Sequence, residues 1–279
     1  MAPLTQWNRL IRYVSAKDGS IRYGEPVVSD NGADIDNLTS KGLLKVQEDQ
    51  VSELLGPLTW EDVPILRCVG INYTSHMREI GFDNPENPTM FFKPSYTITD
   101  TGKPVPIPKL GQSCLDYEGE LTIVIGREAK NVSEDDALDY VAGYVCSNDV
   151  SCRDWQMEKN KAGYEPQWCF SKSFDKYAPL GPQIVSTKIL GDAKGLSITT
   201  KVNREVRQKS NTSDLYFGVR KLVSFLSTGQ TIPAGSLIMT GTPGGVALGM
   251  KPSKHLKDGD EVVVELEGIG KARNVMEFE

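Results

Sequence analysis

The sequence predicts a β-rich α+β protein, and three observations carry that reading. Short runs rich in β-branched and aromatic residues, bounded by Gly, Pro, Asn and Asp, outnumber the stretches with helical periodicity. No regular alternation of strand and helix appears, which argues against a doubly wound parallel sheet. The texture changes near residue 60, dividing the 279 residues into a small N-terminal α+β domain (1–60) and a larger domain (61–279).

Composition and charge narrow the function classes. A formal net charge of −6 and a pI near 5.2 argue against a nucleic-acid binder, which would carry a basic field. An anionic small substrate remains compatible, because a bound cation reverses the local field. The five cysteines form no C-x-x-C pair and His76 and His255 are the only histidines, so no zinc site is expected. An odd, unpatterned cysteine count fits a reducing compartment. Met1 to Gly24 contains Asp18 and no apolar core of signal-peptide length, which predicts neither a secretory leader nor a transit peptide. No run approaches a membrane span. A cytoplasmic location is the expectation, with a mitochondrial one left open.

Taken in order, Leu10-Ile11-Arg12-Tyr13-Val14 and Ser20-Ile21-Arg22-Tyr23-Gly24 flank Asp18-Gly19 and read as a hairpin. An amphipathic segment with a helix-type stop, Leu43 to Leu55 before Gly56-Pro57, completes the small unit. Ile65 to Gly70 is a buried-strand candidate that runs into a short helix over 72–81, with Asn72, Thr74 and Ser75 offering cap chemistry and Gly81 a stop. One or two turns are too few to be stable alone. The Pro-rich connection 83–88 behind them suggests a mobile lid. Ser133 opens a short helix with acids in its first turn, and Tyr140 to Cys146 is another buried strand. Ser151 is expected to cap a helix from Cys152 to Ala162, closed by Gly163, which leaves Asp149 at a strand-to-helix junction. Beyond it, 196–206 reads as a hairpin turning at Asn203-Arg204, 215–228 as a helix, 236–240 as a strand, and 261–276 as a hairpin turning at Gly268-Ile269-Gly270.

The most informative stretch is Asp116-Tyr117-Glu118-Gly119-Glu120-Leu121-Thr122-Ile123-Val124-Ile125-Gly126. A period of two puts Asp116, Glu118 and Glu120 on one face and Leu121, Ile123 and Ile125 on the other, with same-face neighbours roughly 6.5 to 7 Å apart. Such carboxylates repel and shift one another's pKa. A hard divalent cation such as Mg²⁺, Mn²⁺ or Ca²⁺ converts that repulsion into ligation. On this segment alone, a solvated acidic face fits equally well.

Other residues add to the metal reading. Glu118, Glu120 and Asp149 offer three carboxylates, enough for an octahedral site with open positions. Asp149 could equally be only a helix cap. His76 and Glu79, three apart on a helix, can meet as an imidazole–carboxylate pair suited to water activation or proton shuttling, although such pairs are commonly surface ion pairs. Lys172 could neutralise a substrate carboxylate, or simply be solvated. The turn 241–245 lacks the ending of a phosphate-binding loop, yet its N–H groups and the Thr242 hydroxyl could face an anion.

Several motifs in register raise the specificity well above that of any one. Gly70-x-Asn72-Tyr73-x-x-His76-x-x-Glu79, Phe92-Lys93-Pro94, Asp116-x-Glu118-x-Glu120, Asn148-Asp149-Val150-Ser151-x-Arg153-Asp154-x-Gln156, Lys172-Ser173-Phe174-Asp175, Asn211-Thr212 and Thr240-Gly241-Thr242-Pro243-x-Gly245-Val246 resemble the fumarylacetoacetate hydrolase family, in family order. Arg153-Asp154-Trp155-Gln156-Met157 and the N-terminal extension resemble the branch that includes oxaloacetate tautomerases and acylpyruvases. The resemblance implies a mixed β-roll, a homodimer, and Mg²⁺ or Mn²⁺ on Glu118, Glu120 and Asp149. It implies a His76–Glu79 dyad on the lid, a catalytic Lys172, and substrate contacts from Gln156, Thr242 and Arg78, with Asp116 supporting the site from outside. One departure is Asn203-Arg204, where relatives often carry Asn-Gly; Arg is costlier at φ > 0. The implied chemistry is Lewis-acid stabilisation of the enolate of a 2-oxo acid, which leads to tautomerisation, decarboxylation or carbon–carbon hydrolysis. Oxaloacetate keto–enol tautomerisation is the preferred expectation. Acylpyruvate hydrolysis is the alternative, and a non-catalytic metal-binding member a second one.

Overall fold

The computed structural model describes residues 5–29, 32 and 34–279. Its main layer is a twelve-stranded mixed sheet whose path runs Lys45–Val46, Asp49–Leu55, Arg9–Ser15, Ile184–Ser186, Val141–Asn148, Gly119–Ile125, Leu237–Met239, Leu66–Gly70 and Thr89–Lys93. A five-stranded sheet, ordered Glu205–Asn211, Ser197–Val202, Glu261–Leu266, Gly270–Phe278 and Val105–Ile107, packs against it. The fold is β-rich α+β, as the sequence predicts.

The alternation in the acidic strand explains how the layers meet. Leu121, Ile123 and Ile125 share one buried cluster with Ile198, Val262, Val264 and Leu266 of the smaller sheet, while Val124 packs with Cys68, Val145 and Met239 on the opposite face. The sheets approach closely at Gly119: a Cβ there would stand 2.1 Å from Thr200 Oγ1. The helix Val219–Ser227 buries Val219, Leu222, Val223 and Leu226, a stripe at helical spacing that removes about 1.5–3 kcal/mol worth of apolar surface per side chain from water.

Arg9–Ser15 and Ile21–Gly24 form the expected hairpin, and Ile11, Tyr13, Ile35, Leu44, Val46 and Val51 make a separate buried cluster. Arg9–Ser15 also joins the main sheet through Ile184–Ser186. The amphipathic segment 43–55 is a hairpin of strands and not a helix, turning after Val46 with Gln47 at φ 51°. Pairing of Asp49–Leu55 along Arg9–Ser15 outweighs the helical pattern, an override by tertiary contacts.

The short helix expected over 72–81 is Thr74–Ile80, stopped by Gly81 at φ 73°. Its cap is remote: the Ser75 N–H donates to Asp214 Oδ2 at 3.0 Å, and Asn72 makes two side-chain bonds to the Phe217 backbone and one to Thr240 O. The expected helix from Cys152 to Ala162 breaks into Arg153–Met157 and Lys159–Ala162, and Ser151–Cys152 pairs as strand with Leu115–Asp116. Ser151 does not cap it. Its hydroxyl donates to Asp149 O at 3.0 Å and accepts from Lys172 Nζ at 2.7 Å, because a buried ammonium holds the hydroxyl more strongly than a backbone amide would. The turn Asn203-Arg204 forms as expected, with Arg204 held at φ 72°.

Candidate active site

The site follows from strand order. Gly119–Ile125 runs antiparallel to both neighbours, so its start meets the ends of Val141–Asn148 and Leu237–Met239 at one edge. Leu66–Gly70, parallel to Leu237–Met239, ends at the same edge and leads into the helix Thr74–Ile80. Glu118 and Glu120, then Asp149, then Gly241 and Thr242, and finally His76 and Glu79 are brought together by that topology. The register is tight: the Asp149 N–H donates to Glu118 O at 2.8 Å.

Glu118, Glu120 and Asp149 are buried, and one oxygen from each lies within 4.8 Å of the others. Lys172 Nζ reaches Asp149 Oδ2 at 2.8 Å and Glu118 Oε1 at 3.0 Å, while Lys93 Nζ reaches Asp149 Oδ1 at 2.5 Å and Tyr177 O at 2.7 Å. Arg153 Nε donates to Asp116 Oδ2 at 2.8 Å, and its Nη2 forms a 2.6 Å ion pair with Glu118 that is too bent for a hydrogen bond. Among the described residues, the Lys and Arg side chains paired with Asp116, Glu118 and Asp149 are Lys93, Arg153 and Lys172. The uncompensated charge falls on Glu120, which has no ion-pair partner among the described residues.

The titration behaviour agrees. Burial pushes the Glu118 carboxyl up, but Lys172 and Arg153 outweigh it and hold the group below the usual carboxylate range. Burial, then repulsion from Asp149 and Glu118, drives Glu120 well above that range. Burial opposes the Lys172 charge, and Asp149 and Glu118 restore and raise it. Three buried carboxylate oxygens with one unneutralised acid are a donor set that fits a hard divalent cation.

The expected contact between His76 and Glu79 forms. His76 Nδ1 lies 3.0 Å from Glu79 Oε2, and Glu79 Oε1 accepts from the Gly245 N–H at 2.9 Å. Gln156 is buried with its Oε1 accepting from Arg153 Nη1 at 2.9 Å. The Thr242 hydroxyl donates to Gly119 O at 3.0 Å and accepts from Gln208 Nε2 at 2.7 Å, so its single proton is already committed. Arg78 is exposed; two residues from His76 on a helix, its side chain diverges from the cluster.

Sequence reasoning assigned no role to Lys93, Arg153 or Gln208. A lysine within Met90-Phe91-Phe92-Lys93-Pro94 is a signal, since a charge alternating with buried strand residues needs a partner. Gln208 sits in the polar stretch Arg207 to Asn211 and gives no such sign. Among the described residues no helix is long and apolar enough to cross a membrane.

The comparisons with known proteins converge. Residues 66–277 match the family described as fumarylacetoacetate (FAA) hydrolase C-terminal. A mitochondrial oxaloacetate tautomerase of Xenopus laevis is 39% identical over 79% of this chain and 67% of its own. A caffeoylpyruvate hydrolase of Neonothopanus nambi is 36% identical over 100% of this chain and 96% of its own. The fumarylpyruvate hydrolase of Pseudomonas aeruginosa, solved in complex with Mn²⁺ and pyruvate, superposes with a TM-score of 0.67 at 30% identity, covering 78% of this chain and 91% of that one. With three-quarters of its length matched and its carboxylates gathered at one sheet edge, the chain belongs to the fumarylacetoacetate hydrolase family.

Proposed function

We propose that this protein is a Mg²⁺- or Mn²⁺-dependent oxaloacetate keto–enol tautomerase, with Glu118, Glu120 and Asp149 as the metal ligands. The observation that carries the reading is the unneutralised Glu120 beside two paired carboxylates. A divalent cation held by these residues would supply Lewis acidity toward the oxygens of a 2-oxo acid. The Pseudomonas aeruginosa fumarylpyruvate hydrolase, in complex with Mn²⁺ and the 2-oxo acid pyruvate, supports that pairing.

The chain's own groups do the rest. Lys172 keeps positive charge where an incoming carboxylate would otherwise meet three acids. Glu79 accepts the Nδ1 proton of His76, which leaves the Nε2 lone pair as base, and Nε2 has no partner among the described residues. Removing a C3 proton and returning it to the other site is tautomerisation. Gln156 orients a substrate oxygen from its pinned amide, and Thr242 contributes as an acceptor or through its backbone. Arg78 would reach a substrate only from the rim. Five free cysteines suit a reducing compartment, either cytoplasm or mitochondrial matrix, and a homodimer is the proposed assembly.

Acylpyruvate hydrolysis is the second reading, favoured by the match of the whole chain to a caffeoylpyruvate hydrolase. In that case His76 delivers water to the distal carbonyl. A panel of 2-oxo and 2,4-dioxo acids with Mg²⁺ separates the two: faster turnover of enol-oxaloacetate than of any acylpyruvate supports the first, and the reverse order the second.

A further inference from the structure

Asp116 is wholly buried, and its carboxylate accepts four N–H groups. Tyr117 N and Ala247 N donate to Oδ1, each at 2.8 Å, while Leu248 N at 3.1 Å and Arg153 Nε at 2.8 Å donate to Oδ2. Two of these donors belong to the single-turn 3₁₀ segment Ala247–Gly249. Glu79 rests on the same turn. Besides the bond from Gly245, a Cβ built on Gly249 would stand 2.4 Å from Glu79 Cδ, and one on Gly244 would stand 3.5 Å from its Oε2. Neither Gly244 nor Gly249 has a left-handed φ, so backbone conformation does not call for glycine there. The approaching carboxylate does.

We propose that Asp116 is a positioning residue. It pins the Ala247–Gly249 turn, so that Gly244, Gly245 and Gly249 form a bare-backbone receptor for the Glu79 carboxylate. Through Arg153, which bonds Gln156 Oε1 at 2.9 Å and pairs with Glu118 at 2.6 Å, the same carboxylate registers the lid on the framework of the carboxylate cluster. Asp116 does this from a strand pair, Leu115–Asp116 with Ser151–Cys152, that is separate from both large sheets. Its consequence for turnover rests on the dyad reading above; the docking itself does not.

Amide hydrogen exchange tests this. D116N keeps the shape but cannot accept all four donors, and G249A fills the receptor without touching the carboxylate cluster. Each is expected to speed exchange of the lid amides Met77 to Phe82 by about tenfold, with the core strand Gly119–Ile125 unchanged. Both act on one contact, so D116N/G249A should exchange no faster than the faster single variant. Additive effects, an unaltered lid in D116N, or acceleration spread evenly over the core would overturn the proposal. If D116N does not fold, the wild type still decides: Ala247 and Leu248 amides must exchange more slowly than the lid, and exchange at the lid's rate or faster refutes a pinned receptor. Loss of the tautomerase reading would leave these exchange results standing, so the two can fail separately.

Discussion

Glu120 Oε2 accepts the Gly241 N–H at 2.8 Å, and that amide is the carboxylate's single hydrogen bond among the described residues. A buried acid with one neutral donor and two acidic neighbours is costly without a cation. Glu120→Gln keeps the shape and the Gly241 bond while removing the charge. The metal-free variant should be more stable than the metal-free wild type by about 1–2 kcal/mol, and should lose all stabilisation by Mg²⁺ or Mn²⁺. Thermal melts with and without metal check both parts.

The same group sets a pH dependence. Its folded pKa is raised, so the stability it contributes to the metal-free protein is fully present below an unfolded value of about 4.3 and is lost as pH rises through the folded one. Metal at the proposed site competes with protons for Glu120, whose carboxyl pKa is raised by burial and its acidic neighbours. Affinity should therefore rise with pH, and loading should release a proton, which calorimetry in buffers of different ionisation enthalpy measures directly. Metal uptake without proton release at any pH below the folded pKa would contradict this.

Lys172 competes with metal for Glu118 and Asp149. Lys172→Met should destabilise the metal-free protein by about 3 kcal/mol, since Glu118 and Asp149 each lose one of their two cationic partners and keep only Arg153 and Lys93 respectively, and should enlarge the shift in melting temperature on adding Mn²⁺. Turnover should nevertheless fall, because the charge proposed to receive the substrate carboxylate is gone.

His76→Ala should preserve metal binding and reduce turnover by about 10²- to 10⁴-fold, the usual weight of a positioned general base. Glu79→Gln should act in the same direction and more weakly, since Gln can still accept from Gly245. A fully active H76A enzyme would remove the dyad from the mechanism.

Much of this site was legible because its chemistry is written in local periods. Glu118 and Glu120 alternate along a strand, and His76 and Glu79 stand three apart on a helix, so local geometry already faces each pair together. Asp149 and Lys172 became legible through motif order. The expected continuous strand from Asp116 was the instructive error. The chain pairs Leu115–Asp116 with Ser151–Cys152 and begins the main-sheet strand at Gly119, which sends Asp116 to Arg153 and to the 247–248 amides. Contacts 131 and 132 residues away in sequence leave no trace in a local pattern. The segment 43–55 and the role of Gln208 were hidden for the same reason: both are decided by strands far along the chain.

In the proposed site, carboxylates gathered at one sheet edge would hold a divalent cation while the chain's own groups move a proton on a 2-oxo acid. The most direct measurement is the decay of enol-oxaloacetate, followed by its ultraviolet absorbance, for wild-type and Glu118→Ala protein with Mg²⁺ and after chelation. Wild-type protein should accelerate the decay only when metal is present, and the variant little or not at all. Equal decay with and without Mg²⁺, together with rapid hydrolysis of acetylpyruvate, would contradict it.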